Sequence, residues 1–324
     1  MIKISKLIPL LLLLYLVVLP RFNWRDLPQP FNQFVGEKPF DVVQYQKYVQ
    51  FFRGNKNVAN ELEGPFSYRP LVPLLASVIP FQSNTSINLI NLFFLTLGLI
   101  YLLRLLRLFG FNENQSIIGG LFFILSFPLF YYATSGYIDG SLLGILLIST
   151  YYLFDDKYFL FILTFTLGIF IKETIIILLP VAIIEFMIKE KSKIKFLKVI
   201  IPVLLYFLVI VLIRKIAPHK ESYVWKPSID ILIYNLVRVK TYLSFLLTFG
   251  IPGLLATYLI ITKKIQMISK EISYPILAGF LFSFLLWLYS LFAAYSDGRQ
   301  LWITYVFSIP LALFVIQHRE KNAK

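Results

Sequence analysis

Along almost the whole chain, apolar runs long enough or nearly long enough to span a bilayer alternate with short polar clusters. About 20 apolar residues cross a hydrocarbon core, and in lipid each crossing segment must satisfy its own backbone hydrogen bonds. The pattern therefore predicts an all-α, polytopic transmembrane protein with about ten spans. A first helix covers the run Leu7 to Leu19, and further spans fall near 86–108, 116–135, 139–154, 158–171, 174–188, 196–214, 242–262, 272–294 and 300–316. Three in the middle are short, which leaves open polar ends inside a protein-lined cavity or a re-entrant stretch within 139–188. Between the first span and the rest lies a long polar segment. There Val42, Val43, Tyr45, Tyr48, Val49 and Phe52 recur at near-helical spacing, so an amphipathic helix on the membrane surface is expected. Leu71 to Phe81, interrupted by Pro73 and Pro80, reads as a second interfacial piece. The chain is thus a single membrane domain: 20–81 as an outer loop with interfacial helices, 86–316 as the bundle, and 317–324 as a tail.

Composition agrees, with 58% hydrophobic and only 15% charged residues, against about a quarter charged in soluble domains. The net charge of +14 is confined to clusters between apolar runs, such as Lys189, Lys191, Lys193, Lys195 and Lys198. That is how loops beside anionic lipid look, so membrane lipid is the expected partner and nucleic acid is not. Lys3, Lys6, Arg104, Arg107, Lys157, Lys263, Lys264 and Lys270 fall on the same side of the spans as that cluster. By the positive-inside rule both termini are cytoplasmic and the protein sits in the cytoplasmic membrane. The run after Lys3 and Lys6 resembles a signal peptide, but Leu19-Pro20-Arg21 offers no small-residue cleavage site, and an uncleaved helix is expected. Cysteine is absent, which excludes thiol nucleophiles and Cys-based metal sites.

With this topology the opposite, outer face carries isolated charges of mixed sign at helix ends: Asp41, Arg53, Arg69, Asp139, Lys172 with Glu173, and Asp297 with Arg299. Ionisable groups at membrane depth are costly and mark functional sites. Plainer roles compete. Asp41 and Asp139 suit helix N-termini, Arg69 could snorkel toward headgroups, and Asp297-Gly298-Arg299 could be a turn. Lys172 and Glu173 interrupt an apolar run with no polar cushion, which favours function. The two histidines, His219 and His318, lie outside the spans, so histidine-dependent acyl transfer and serine–histidine hydrolysis find no catalyst. No phosphate-binding or dinucleotide glycine motif is present.

Several stretches together resemble the C-type superfamily of glycosyltransferases, multi-spanning enzymes that use polyprenyl-phosphate-linked sugars. They are Asp41-Val42-Val43-Gln44-Tyr45 through Arg53-Gly54, Tyr68-Arg69-Pro70-Leu71-Val72-Pro73-Leu74, Gly136-Tyr137-Ile138-Asp139-Gly140, and Gly168 to Thr174 followed by Leu178-Leu179-Pro180. The resemblance covers about residues 1–190. It implies transfer of a sugar from a polyprenyl-phosphate donor to an acceptor hydroxyl on the outer face. Asp41 would be the general base, and Asp139 or Glu173 would orient the acceptor or a cation. Arg69, Lys172 or Arg299 would hold the phosphate. Tyr68, with Tyr45, Tyr48 and Tyr137, would stack on sugar rings. The first outer loop lacks the paired-acid motif of the family, so no cofactor is implied firmly and a divalent cation stays open. Two rivals remain: a transporter or flippase of a lipid-linked or anionic substrate, and a non-catalytic partner in an envelope assembly. A catalytic site requires Asp41, Arg69 and Asp139 within about 10 Å of one another.

Overall fold

A computed structural model of the chain describes residues 4–26, 39–189, 194–218, 227–294 and 298–322. Asp297, His219, Lys191 and Lys193 lie outside them. All regular structure among the described residues is helical. In chain order the α-helices are α1 (Ile4–Val18), α2 (Phe40–Phe52), α3 (Leu71–Ser77), α4 (Ser83–Leu108), α5 (Glu113–Ile124), α6 (Phe127–Tyr132) and α7 (Asp139–Phe154). They continue with α8 (Tyr158–Ile171), α9 (Leu178–Lys189), α10 (Ile194–Ile216), α11 (Ile229–Val237), α12 (Val239–Ile261), α13 (Lys270–Ala293) and α14 (Tyr305–Asn322).

Among the described residues six helices are long and apolar enough to cross a membrane: Ile4–Phe22, Ser83–Leu108, Phe196–Ile216, Val239–Ile261, Lys270–Ala293 and Arg299–His318. Ten were expected. The difference lies in the middle of the chain. At 1.5 Å per residue, α7 with 16 residues and α8 with 14 reach only about 24 and 21 Å. The expected run 116–135 is two helices. α5 ends at Ile124, and Ser126 begins α6 by accepting a hydrogen bond at its Oγ from the Leu129 amide, with Pro128 in the first turn. Ser-x-Pro is an N-terminal signal, and here it outweighs the continuity of apolar character. α11 was not foreseen at all.

The centre of the bundle is the parallel pair α4 and α7. Gly140 and Gly144 on α7 face α4 and let the two backbones meet. A Cβ on Gly144 would lie 2.1 Å from the Phe94 carbonyl oxygen. Farther along the same seam the Tyr101 and Tyr152 hydroxyls meet at 2.5 Å, and the Phe109 and Phe154 rings stand edge to face. α8 returns antiparallel to α7, so that its last residues come back beside the first residues of α7. α12 and α13 form an aromatic hairpin through Phe245 with Trp287 and Phe249 with Phe280. Consequently α4, α7, α9, α12 and α14 begin at one end of the bundle, where α8, α10 and α13 finish.

The segment before α4 is tied to that end. Arg53 donates to the carbonyls of Ile79 at 2.6 Å and Phe81 at 2.7 Å and to the Ser86 hydroxyl. It thereby satisfies acceptors left open after α3. Its role is structural, although sequence placed it among the outer-face charges.

Candidate functional site

Five segments of the sequence deliver charged side chains to the same end of the bundle, Arg69 among them. Asp41 lies in the first turn of α2 and Asp139 is the first residue of α7. Lys172 and Glu173 occupy the step between α8 and the short 3-10 turn Glu173–Ile177. Arg299 opens a second 3-10 turn, Arg299–Thr304, which runs into α14. Gly298 sets its entry with a φ of 77°, in the left-handed region that favours glycine. A Cβ there would also stand 2.6 Å from the Ser244 carbonyl oxygen of α12.

The side chains form two linked groups. In the first, Asp139 receives Lys172 Nζ at 2.6 Å on Oδ1 and Arg299 Nε at 3.5 Å on Oδ2. Arg299 Nη1 donates in turn to Asp41 Oδ2 at 2.8 Å. The Tyr137 ring lies under the guanidinium, 3.7 Å from centroid to Cζ, a cation–π contact that fixes its plane. In the second, Arg69 spans Glu173 with both Nε (2.9 Å to Oε2) and Nη2 (to Oε1), while Nη1 donates to the Tyr45 hydroxyl at 2.7 Å. The Tyr206 hydroxyl of α10 donates to the Glu173 carbonyl at 3.0 Å. Adjacency of Lys172 and Glu173 joins the groups, and Asp139 feels the Arg69 charge as well.

Burial pushes the Tyr45 phenol pKa well above its ordinary value, so the hydroxyl stays protonated. For Arg69, burial acts to lower the pKa, but Glu173 and then Tyr45 outweigh it and raise it overall. The guanidinium is a fixed charge.

What holds Asp139 and Tyr137 in place is a ladder of asparagines on α4, which sequence reasoning missed. Asn88 donates to the Thr134 carbonyl at 2.8 Å and accepts from the Gly136 amide at 3.0 Å. Asn91 donates to the Tyr137 carbonyl at 2.5 Å and accepts from the Ser141 amide and hydroxyl at 3.1 and 2.6 Å. Asn84 accepts from the Gln46 side chain at 3.2 Å, bringing α2 to the same face. Positions 84, 88 and 91 are i, i+4 and i+7, one stripe of a helix. That stripe was the available signal.

Asp41, Arg69, Asp139, Lys172, Glu173 and Arg299 are therefore together. Tyr68 packs instead with its ring centroid 5.7 Å from the Arg214 guanidinium of α10. One plainer role fails: Arg69 is 6% exposed and does not snorkel. Asp139 does stand in the first turn of α7, where a carboxylate suits the helix N-terminus. The expected sugar-stacking tyrosines also differ: Tyr45, Tyr48 and Tyr137 are buried, with Tyr48 stacked on Phe52 at 4.7 Å and Tyr137 covered by Arg299.

The site does not fit a divalent cation. Among the described residues no three acidic or histidine side chains are grouped to hold one. The two carboxylates that could share an ion, Asp41 and Asp139, have the Arg299 guanidinium between them.

No protein-family model, no curated protein and no solved structure matches this chain.

Proposed function

We propose that the chain is a multi-spanning membrane glycosyltransferase that moves a sugar from a polyprenyl-phosphate donor to an acceptor hydroxyl. In this reading it crosses the cytoplasmic membrane about ten times with both termini inside, and works on the outer face. The observation that carries the reading is the convergence of Lys172 and Arg299 on Asp139, with Asp41 on the same Arg299. Two cations and an additional carboxylate within one helical-end cluster are what transfer from a glycosyl phosphate requires.

The donor is a phosphodiester with one negative charge. Asp41 takes the proton of the acceptor hydroxyl as its oxygen forms a bond to the anomeric carbon. The bond from that carbon to the phosphate oxygen breaks, and its electron pair leaves with polyprenyl phosphate, whose charge grows from one toward two. Lys172 and Arg299 meet that growing charge, an interaction stronger in the transition state than in the bound donor. Asp139 positions both cations. Arg69, with all three nitrogens engaged, positions Glu173 rather than contacting phosphate, and Tyr68 lies toward α10 where the lipid tail would enter. The charged cluster sits at one end of the bundle only, which favours chemistry over a transport path that must open at both.

Reconstituted protein given a panel of radiolabelled polyprenyl-phosphate sugars and membrane extract as acceptor is expected to transfer label, and Asp41→Asn to stop it. Transfer by Asp41→Asn at the wild-type rate would remove Asp41 as the base. No transfer from any donor would count against the enzyme reading itself.

A further inference from the structure

We infer that Asp41 occupies the position on Arg299 that the donor phosphodiester takes. Binding exchanges one anion for the other, and only that exchange releases the base. The inference rests on the glycosyltransferase reading and adds to it a reason why the base is idle until the donor arrives.

Charge comes first. Among the described residues the cluster holds three acids, Asp41, Asp139 and Glu173, and three bases, Arg69, Lys172 and Arg299, whose charges balance. A further uncompensated anion at membrane depth is expensive. An entering phosphodiester must therefore displace a carboxylate from a cation. A glycosyl phosphodiester and a carboxylate each carry one negative charge, so a one-for-one swap leaves the cluster neutral.

Geometry then selects the carboxylate. Glu173 is held by two parallel hydrogen bonds from Arg69, the strong bidentate form. Asp139 is 5% exposed and lies between two cations. Asp41 is tied to the cluster by the single contact at 2.8 Å from Arg299 Nη1. It also sits in the first turn of α2, where a rotation of its own side chain withdraws it while Tyr45 and Gln46 keep the helix on Arg69 and Asn84. While Arg299 occupies its Oδ2, the carboxylate cannot take an acceptor proton there. Once the phosphodiester holds Arg299, that oxygen faces the acceptor. After transfer the proton rests on Asp41. Its loss to solvent restores the carboxylate, whose return to Arg299 helps expel polyprenyl phosphate.

The inference makes an unusual directional prediction: removing the charge of the base should tighten donor-like binding. The probe is a short-chain prenyl methyl phosphodiester, which has the charge of the donor but no transferable sugar. Its affinity is measured with the full chain in uncharged-lipid nanodiscs, with melting temperature recorded for each variant. Asp41→Asn is expected to bind about tenfold or more tighter than wild type, within the usual range of a competitive coupling between two ligands of one group. Arg299→Gln should bind more weakly, and Asp41→Asn should give no gain in the Arg299→Gln background. A short-chain phosphatidylglycerol arm separates the donor from bulk lipid, and an equal gain there would overturn the donor as the exchanging ligand. Equal or weaker binding by a normally folded Asp41→Asn would overturn the exchange while leaving the phosphate site intact. No binding to wild type or any variant would overturn both.

Discussion

The two ends of the helix bundle both carry charged residues and use them in different ways. At the end where α7 begins, every charge of the cluster faces a charge of opposite sign delivered from another part of the chain, across 258 residues for Asp41 and Arg299. At the other end the pairs are mostly local in sequence and partly exposed, apart from the buried Glu185, which meets Lys189 at 2.7 Å. Lys157 and Asp155 are two residues apart, with the lysine about half exposed, and Lys6 meets Glu113 at 3.2 Å near the surface. The contrast shows that a distance does not define an ion pair's role. Exposed pairs contribute about 0–1 kcal/mol. A buried pair adds little net stability, yet breaking one half costs about 3–5 kcal/mol because a charge is stranded. The basic end suits anionic lipid; the paired end holds each of its charges against an opposite one.

The comparison can be broken most severely at Arg69. Arg69→Leu leaves Glu173, whose side chain is 34% exposed, and the buried Tyr45 hydroxyl without their partner, with an expected loss of about 1–3 kcal/mol. Arg69→Leu with Glu173→Leu should recover much of it, as read by melting temperature. If the single variant melted like wild type, the second group would not be a structural staple. Next, Arg299→Gln should fold but lose about 10²–10³-fold in transfer rate, because Asp41 and Asp139 retain solvent or Lys172 as partners. Loss of folding instead would make the cluster a structural element.

A smaller effect is expected from the support beneath the site. Asn91→Leu leaves the Tyr137 carbonyl and the Ser141 hydroxyl without their partner. The stability cost should be about 1–2 kcal/mol, with a larger fall in transfer rate as Asp139 drifts. Equal activity would show that the ladder does not position the site. The smallest effect belongs to the other end: Lys157→Ala should change stability by less than about 1 kcal/mol and leave transfer untouched.

Much of the helical pattern was legible because lipid imposes it. α1, α4, α7, α8, α10, α12, α13 and α14 each coincide with an apolar run, and α2 with its amphipathic spacing. The break between α5 and α6 was overlooked because Ser126 and Pro128 were read within a continuous apolar run. α11 escaped because its nine residues are too few to span a bilayer and follow a polar loop. It is held by Asn235, which donates to the Leu291 carbonyl of α13 and to the Ala294 carbonyl just beyond it. The charged residues stood out one by one, as ionisable groups where apolar ones were expected. Which acid meets which base was not legible, since pairing depends on helices brought together by Gly140 and Gly144 and by the asparagine stripe. Nor was Arg69 separable from Arg299. Both are arginines beside apolar runs, and only the structure distinguishes one with three engaged nitrogens from one bridging two acids and covering Tyr137.

The most direct test compares radiolabelled sugar transfer by three reconstituted proteins: wild type, Asp41→Asn at the paired end and Lys157→Ala at the basic end. A site confined to the paired end predicts transfer by wild type and Lys157→Ala at equal rates, and none above background by a normally folded Asp41→Asn. Equal rates in all three, or loss in Lys157→Ala alone, would contradict it.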